Sequence, residues 1–325
     1  MSDVSQTDHN NGPFMQTYRQ RLLKWVPWFG PLHRIFHSSL EYAGRLPHFV
    51  REVVNHIRFK ILWEARHRWI SRGSRKHTLS KPVVHLYAVC WNESLIAPYF
   101  IDHYSKFVDA FFIYDNMSTD TTAALLSRYA NVTVIPYDTG NTFNDAVNLE
   151  IKNNAWKQSR GKAEFVVVCD MDEFLYHPDM RSALHLLAND GYTVATPHGY
   201  NMLSRSLPEF NGKQGITELI RTGIDAKRDY SKSILFSPEL DDINFTPGSH
   251  KCSPKGRVKM FVSDRLKLLH YKHVDRDHVL AKMQTYRTRL SAINKKHGWG
   301  HHYQQPVEQV LLQFDQRILE SKTVI

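Results

Sequence analysis

From Pro82 onward, short apolar runs alternate with amphipathic stretches. Val83–Cys90 reads as a strand, Ile96–Phe107 as a helix, and Ala110–Tyr114 as a second strand. Thr119–Tyr129 reads as a helix that Ser118 or Thr119 would cap, and Val132–Pro136 as a third strand. Asn144–Ser159 is helical, with Ala146, Val147, Ile151 and Ala155 on one stripe. Phe165–Cys169 gives a fourth strand, apolar at every position, as a strand buried on both faces requires. Strands alternating with helices imply right-handed crossovers and a mainly parallel sheet. After residue 200 the pattern loosens into Gly, Pro and polar loops, with short strand candidates at Ile234–Phe236, Val258–Val262 and Leu266–His270. A last helix is expected at about Asp275–Lys295, with Val279, Met283, Tyr286, Leu290 and Ile293 on its stripe.

The first 81 residues follow other rules. Residues 1–12 are polar and expected to be disordered. Residues 13–81 mix basic and large apolar side chains, and Pro27 and Pro31 exclude one straight helix there. A cleaner helix follows, with Val50, Val53, Val54, Ile57, Ile61, Leu62 and Trp69 at helical spacing and Arg51, Arg58, Arg66 and Arg68 between them. Such a helix either packs its stripe on the main domain or lies on an anionic membrane, giving peripheral contact through residues 13–70. Residues 71–81 read as a linker.

Charge sharpens this division. Of the net +10, most belongs to residues 1–80, which hold 13 Lys+Arg against 5 Asp+Glu. No recognisable nucleic-acid motif accompanies them, so no nucleic-acid partner is expected. No apolar stretch approaches the ~20 residues of a membrane span, and no signal core is apparent. The three cysteines, Cys90, Cys169 and Cys252, are far apart, and two of them end apolar runs. Buried thiols in a cytoplasmic setting are the expectation, with the cytoplasmic membrane face as the possible site of attachment.

The chemistry concentrates where strands end. The fourth strand runs into Asp170-Met171-Asp172-Glu173, the first into Cys90-Trp91-Asn92-Glu93, and the second into Asp115-Asn116-Met117-Ser118-Thr119-Asp120. In open α/β sheets, ligands bind just beyond the carboxyl ends of the strands. Asp170 and Asp172, one residue apart, would point to one side of an extended segment. Two oxygen donors with no soft ligand nearby suit Mg²⁺ or Mn²⁺ bound to a diphosphate. The plainer reading makes these groups caps and turns: Asp115 and Ser118 an Asx turn, Glu93 a cap on the following helix.

The Asn-Glu after the first strand, the Asp-Asn-x-Ser-x-Asp after the second, the Asn-rich helix Asn148–Trp156 and the Asp-Met-Asp-Glu-Phe sequence together resemble a family-2-type glycosyltransferase of the GT-A fold, in a bacterial subgroup. Gly248-Ser249-His250 and Leu268-Leu269-His270-Tyr271 are similar to later pieces of that subgroup. The resemblance implies a mainly parallel twisted sheet flanked by helices. Residues 82–200 would be the nucleotide-sugar half, residues 201–325 the acceptor half with C-terminal helices, and the N-terminal segment a helical appendage. It implies a metal-dependent, inverting transfer from a nucleoside-diphosphate sugar to a glycan or lipid-linked acceptor, as in cell-surface polysaccharide synthesis.

The resemblance also implies roles. Asn92, Glu93 and Asp115 would lie at the nucleotide, Asp170 at the ribose or a metal water, and Asp172 on the metal, with His270 or His250 completing the site. The base would come from Asp241 or Asp242, with Asp225 and Asp229 as alternatives. Lys232, Lys251, Lys272 and Arg287 are candidates for contact with the diphosphate or acceptor. Two other readings stay open at this point. One is a sugar-nucleotide nucleotidyltransferase, against which the absence of a Gly-rich loop after the first strand speaks. The other is a non-catalytic basic membrane- or nucleic-acid-binding module.

Overall fold

The computed structural model describes residues 81–226 and 230–325. The chain divides into two units, Met1–Leu79 and Ser80–Ile325, and all the described residues lie in the second. The expected disordered tail, basic amphipathic helix, membrane contact and most of the linker lie outside the described residues, as does Asp229.

The second unit is built on one sheet. Its elements in chain order are β1 (Val84–Cys90), α1 (Ala97–Tyr104), β2 (Ala110–Asp115), α2 (Thr122–Leu126), β3 (Val132–Pro136), α3 (Asp145–Asn154), β4 (Phe165–Asp170), β5 (Glu173–Tyr176), α4 (Met180–Asn189) and β6 (Val194–Ser204). There follow α5 (Ile216–Leu219), β7 (Thr222–Asp225), β8 (Leu235–Phe236), β9 (Met260–Val274), α6 (Arg276–Arg289), α7 (Ala292–His297), α8 (Val307–Glu320) and β10 (Lys322–Thr323). The order across the sheet is β10-β7-β6-β8-β4-β1-β2-β3, with β9 paired to both β5 and β6.

The four strands β3, β2, β1 and β4 are mutually parallel, as the alternation of strands and helices requires. β4 sits inside the sheet, and Phe165–Cys169 are all buried. Fully burying each such apolar side chain contributes roughly 1.5–3 kcal/mol. This uniform apolarity is why the segment forms a central strand and not a half-exposed one. The two faces of the sheet carry separate cores. Leu86, Phe100, Tyr104, Val167 and Phe174 belong to one, and Tyr87, Trp156, Val168, Phe236 and Phe245 to the other.

Several boundaries differ from the sequence expectations. The Asn144–Ser159 helix is α3 followed by a 3₁₀ turn at Ala155–Ser159. α2 is only five residues long and has no side-chain cap. Ser118 is engaged with Asp115 instead, and Asp120 receives the first amide of α2, from Thr122, at 2.9 Å. The two short strands expected at 258–262 and 266–270 are one strand, β9. Its pairing with β6 is shifted between Pro197 and His198 and again between Asn201 and Leu203. The last helix breaks at Leu290 into α6 and α7, and α8 had no sequence expectation.

Candidate active site

Parallel pairing sets the first half of the site. The register aligns Cys90 with Asp115 and Val89 with Asp170, so the two carboxylates flank the end of β1. Asp115 is buried. Its carboxylate accepts the Ser118 amide at 3.0 Å and the Ser118 hydroxyl at 2.5 Å, and the Cys90 thiol donates to it at 3.5 Å. The turn reading of Asp115 and Ser118 is therefore realised, at the strand edge itself. Asn92 has φ of +52°, a left-handed conformation that Asn tolerates. Its side-chain oxygen accepts the Thr119 amide at 2.7 Å, which stitches the loop after β1 to the loop after β2.

The second half is a buried carboxylate–lysine cluster. Lys282, from α6, lies 2.8 Å from Glu93 and 3.4 Å from Asp172. His270 Nε2, from β9, lies 3.3 Å from Asp172 Oδ1, while its Nδ1 faces Asn201 at 3.3 Å. The antiparallel pairing of β5 with β9 sets Glu173 opposite His270 and so fixes this approach. Lys152, from α3, meets Asp170 at 2.6 Å. Lys232 meets Glu173 at 2.5 Å and stands 3.9 Å from Asp170. The Tyr230 ring lies 4.5 Å from that of His270 and 5.5 Å from that of His250. Gly199 makes the Tyr230 position accessible, because a Cβ there would collide with the Tyr230 backbone carbonyl.

Burial and charge pull against each other here. Burial alone would raise the pKa of Asp172, yet Lys282 and then His270 hold it well below the usual carboxylate range. Asp170 is likewise lowered against burial, by Lys152 and then Lys232. For Glu93, burial prevails over Lys282 and raises its pKa to about 7. One oxygen of Glu93, Oε2, is buried without a hydrogen-bond partner. Lys282 is shifted upward by Glu93 and Asp172 despite the opposing, larger effect of burial.

The structure thus brings Glu93, Asp115, Asp170, Asp172, His270 and Lys232 to one edge. Asn92 serves there as a loop stitch. Lys272 is close by, donating to the Tyr303 hydroxyl at 2.8 Å, and burial lowers its pKa. Other expected residues are not brought in. Asp242 pairs with Lys157 at 2.7 Å, and the Asp241 amide is tied to the Lys255 carbonyl, so this acidic pair belongs to a loop on the sheet's flank. Asp225 is held by His198 at 2.7 Å. Arg287 donates to the Tyr303 and Gln305 carbonyls as a strap between α6 and the loop after α7. Lys251 is exposed, and so is His250, whose ring reaches the site's edge through that of Tyr230.

Among the described residues, no group of three or more His, Cys, Asp or Glu side chains is arranged around a cation position. Sequence reasoning missed Lys282 and Lys152. Lys282 had a signal: with Val279, Tyr286 and Arg289 it falls at helical spacing beside the apolar stripe, where a charged residue needs a buried partner.

The C-terminal edge of a parallel sheet is where ligands of open α/β folds bind, and here that edge gathers buried carboxylates and lysines. The glycosyltransferase family 92 model matches residues 98–307. The chain belongs to glycosyltransferase family 92 and is a glycosyltransferase; the family is 92, where the strand-end motifs resembled family 2. No curated protein matches the chain. Among solved structures it is similar to S. aureus TarS, at 14% identity over 63% of this chain and 39% of that chain, with a TM-score of 0.39. TarS 1–349 in complex with UDP matches at 16% identity over 64% and 65%, with a TM-score of 0.40. TarS 1–349 in complex with UDP-GlcNAc matches at 12% identity over 73% of each chain, with a TM-score of 0.37. The chain spans about two-fifths of the full TarS length that it matches.

Proposed function

We propose that the donor of this glycosyltransferase is a nucleoside-diphosphate sugar, held along the C-terminal edge of β1, β2 and β4, and that the acceptor is a hydroxyl of a glycan or lipid-linked sugar. The observation that carries the reading is the convergence on Asp172 of Lys282 from α6 and His270 from β9, beside Asp170 with Lys152 and Lys232. In the transfer, the bond from the anomeric carbon to the diphosphate oxygen breaks with its electron pair going to the diphosphate. The acceptor oxygen bonds to that carbon and its proton passes to water. The strand-end resemblance supports a single displacement with inversion.

Charge grows on the departing diphosphate, and preorganised cations in a dry site stabilise such charge most effectively. Lys282, Lys232 and Lys272 supply it from this chain. Two side-chain donors at a spacing a divalent ion accepts are also present. Cis ligands of a small octahedral ion at about 2.0–2.1 Å stand about 3 Å apart, and Asp172 Oδ1 and His270 Nε2 are 3.3 Å apart. Such ions are commonly held by one or two carboxylates, with substrate phosphates and water completing the set. Asp172 and His270, with Asp170 beside them, would hold Mn²⁺ or Mg²⁺, which when bound would neutralise diphosphate charge.

The first ligands to try are nucleoside diphosphates of the kind seen with TarS. Thermal unfolding of the full chain with each nucleoside diphosphate, with and without Mn²⁺, tests the reading, since a ligand of the native state raises the midpoint. A rise that Asp172→Asn abolishes is the expected result. No rise with any nucleoside diphosphate, with or without the metal, would overturn it.

A further inference from the structure

Beyond the carboxylate cluster, the same edge holds two buried donors with nothing to donate to. Arg289, the last residue of α6, is 8% exposed. Its guanidinium stacks on the Trp91 ring, 3.4 Å from the centroid. Its Nε donates to the Asn141 carbonyl at 3.1 Å, but Nη2 is buried without a hydrogen-bond partner, and so is Trp91 Nε1. No carboxylate pairs with Arg289 among the ion pairs of the described residues. A buried guanidinium left with an unmade hydrogen bond is costly, so a group absent from the chain itself is the natural partner.

Position says which part of a donor would arrive there. Lys282 and Arg289 are seven residues apart on α6, two turns and about 10.5 Å along one face. Lys282 marks the end with Asp172, where the diphosphate is proposed to lie. Arg289 marks the other end, beside Trp91 after β1. With the diphosphate at the first end, the nucleoside extends toward the second.

We propose that Arg289 and Trp91 form the base-reading pocket, and that their two unspent N–H donors select a nucleobase with a carbonyl oxygen, and not an amine, at the pyrimidine 4 or purine 6 position. Uracil and thymine (O4) and guanine (O6) carry a carbonyl oxygen at the ring position where cytosine (N4) and adenine (N6) carry an exocyclic amine, which would set donor against donor. The stacked pair also gives a flat apolar wall against which a base can lie. The inference rests on the donor reading above and deepens it by naming the class of nucleotide.

Calorimetric titration of the full chain with UDP, GDP, CDP and ADP, Mn²⁺ present throughout, tests it. The better of UDP and GDP is expected to bind at least about tenfold more tightly than CDP and ADP, since a site built to hydrogen-bond rejects a mismatched group strongly. Trp91→Phe keeps the stack and removes one donor, and Arg289→Lys keeps the charge and removes the fork. Each is expected to lower affinity for the carbonyl-bearing base and to narrow that ratio, with circular-dichroism melts confirming the fold. Equal binding of all four nucleotides by the parent would overturn the proposal, as would equal losses for all four in both variants. If Asp172→Asn abolishes binding that shows no base preference, the donor reading stands and this inference alone falls. If the parent binds none of the four, both fall.

Discussion

The chain has two acidic pairs that look alike in sequence, Asp170 with Asp172 and Asp241 with Asp242. In three dimensions they differ in almost everything but composition. The Asp172 side chain is 8% exposed and meets Lys282 and His270, which come from elements about a hundred residues away. The Asp242 side chain is 38% exposed and meets Lys157 alone among its ion pairs. Water and salt screen the second pair, so its interaction is worth little. Around the first pair screening is weak, and every charge there is balanced by another the fold has brought in. What separates the two pairs is what the topology sets beside each.

The comparison can be broken most directly at Asp172. Asp172→Asn removes the group on which Lys282 and His270 converge, and diphosphate release from a nucleotide sugar is expected to fall by about a thousandfold. Asp242→Asn in the same assay should lose less than twofold, and equal losses in the two variants would erase the distinction. Lys282→Met comes next, with an expected loss of about a hundredfold in turnover. It also leaves Glu93 and Asp172 buried without their shared cation, at a cost of roughly 3 kcal/mol in urea unfolding. Unchanged stability would show that water reaches both carboxylates.

A buried titratable group that makes no ion pair among the described residues sharpens the contrast. His103 lies among Tyr104, Phe107 and Phe174 and contacts the Leu175 carbonyl at 2.8 Å. Burial lowers its pKa to about 4, against about 6.5 in an unfolded chain. Between those values the unfolded state binds more protons, so stability rises with pH across the window and is lost on acidification. The loss from pH 7 to pH 4 is roughly 3 kcal/mol for this group. His103→Gln should flatten that part of a pH series of urea melts, and an unaltered slope would refute the assignment. The smallest expected effect is on stability at the flank: Asp242→Asn should leave the urea midpoint where it is, since water and salt screen its pairing with Lys157.

Much of the parallel half of the sheet, β1 to β4, was legible because its signals are local. The all-apolar run Phe165–Cys169, the helices between strands and the polar strand ends are each contiguous in sequence, and together they imply parallel order. Asp115, Asp170 and Asp172 could be picked out for the same reason. The partners of these carboxylates could not. Lys152 and Lys282 acquire their meaning from α3 and α6 crossing the sheet edge, a tertiary fact with only a faint mark in periodicity. Asp241-Asp242 shows the converse: a motif-like pair whose surroundings, Lys157 and a β-bridge to Lys255, hold it on the flank. β9 was read as two pieces because Ser263, Asp264 and Arg265 interrupt its apolar pattern at the point where its register with β6 shifts.

The bridge between Phe143 and Leu290 carries a further consequence. The Phe143 amide donates to the Arg289 carbonyl and the Ser291 amide to the Phe143 carbonyl, while Asn294 clasps Asp145 at 2.9 Å. This clasp fastens the far end of α6 to the opening of α3, so the helix bearing Lys282 and the one bearing Lys152 are moored at a common point. The spacing between those two lysines is therefore fixed by hydrogen bonds some distance from the charges themselves.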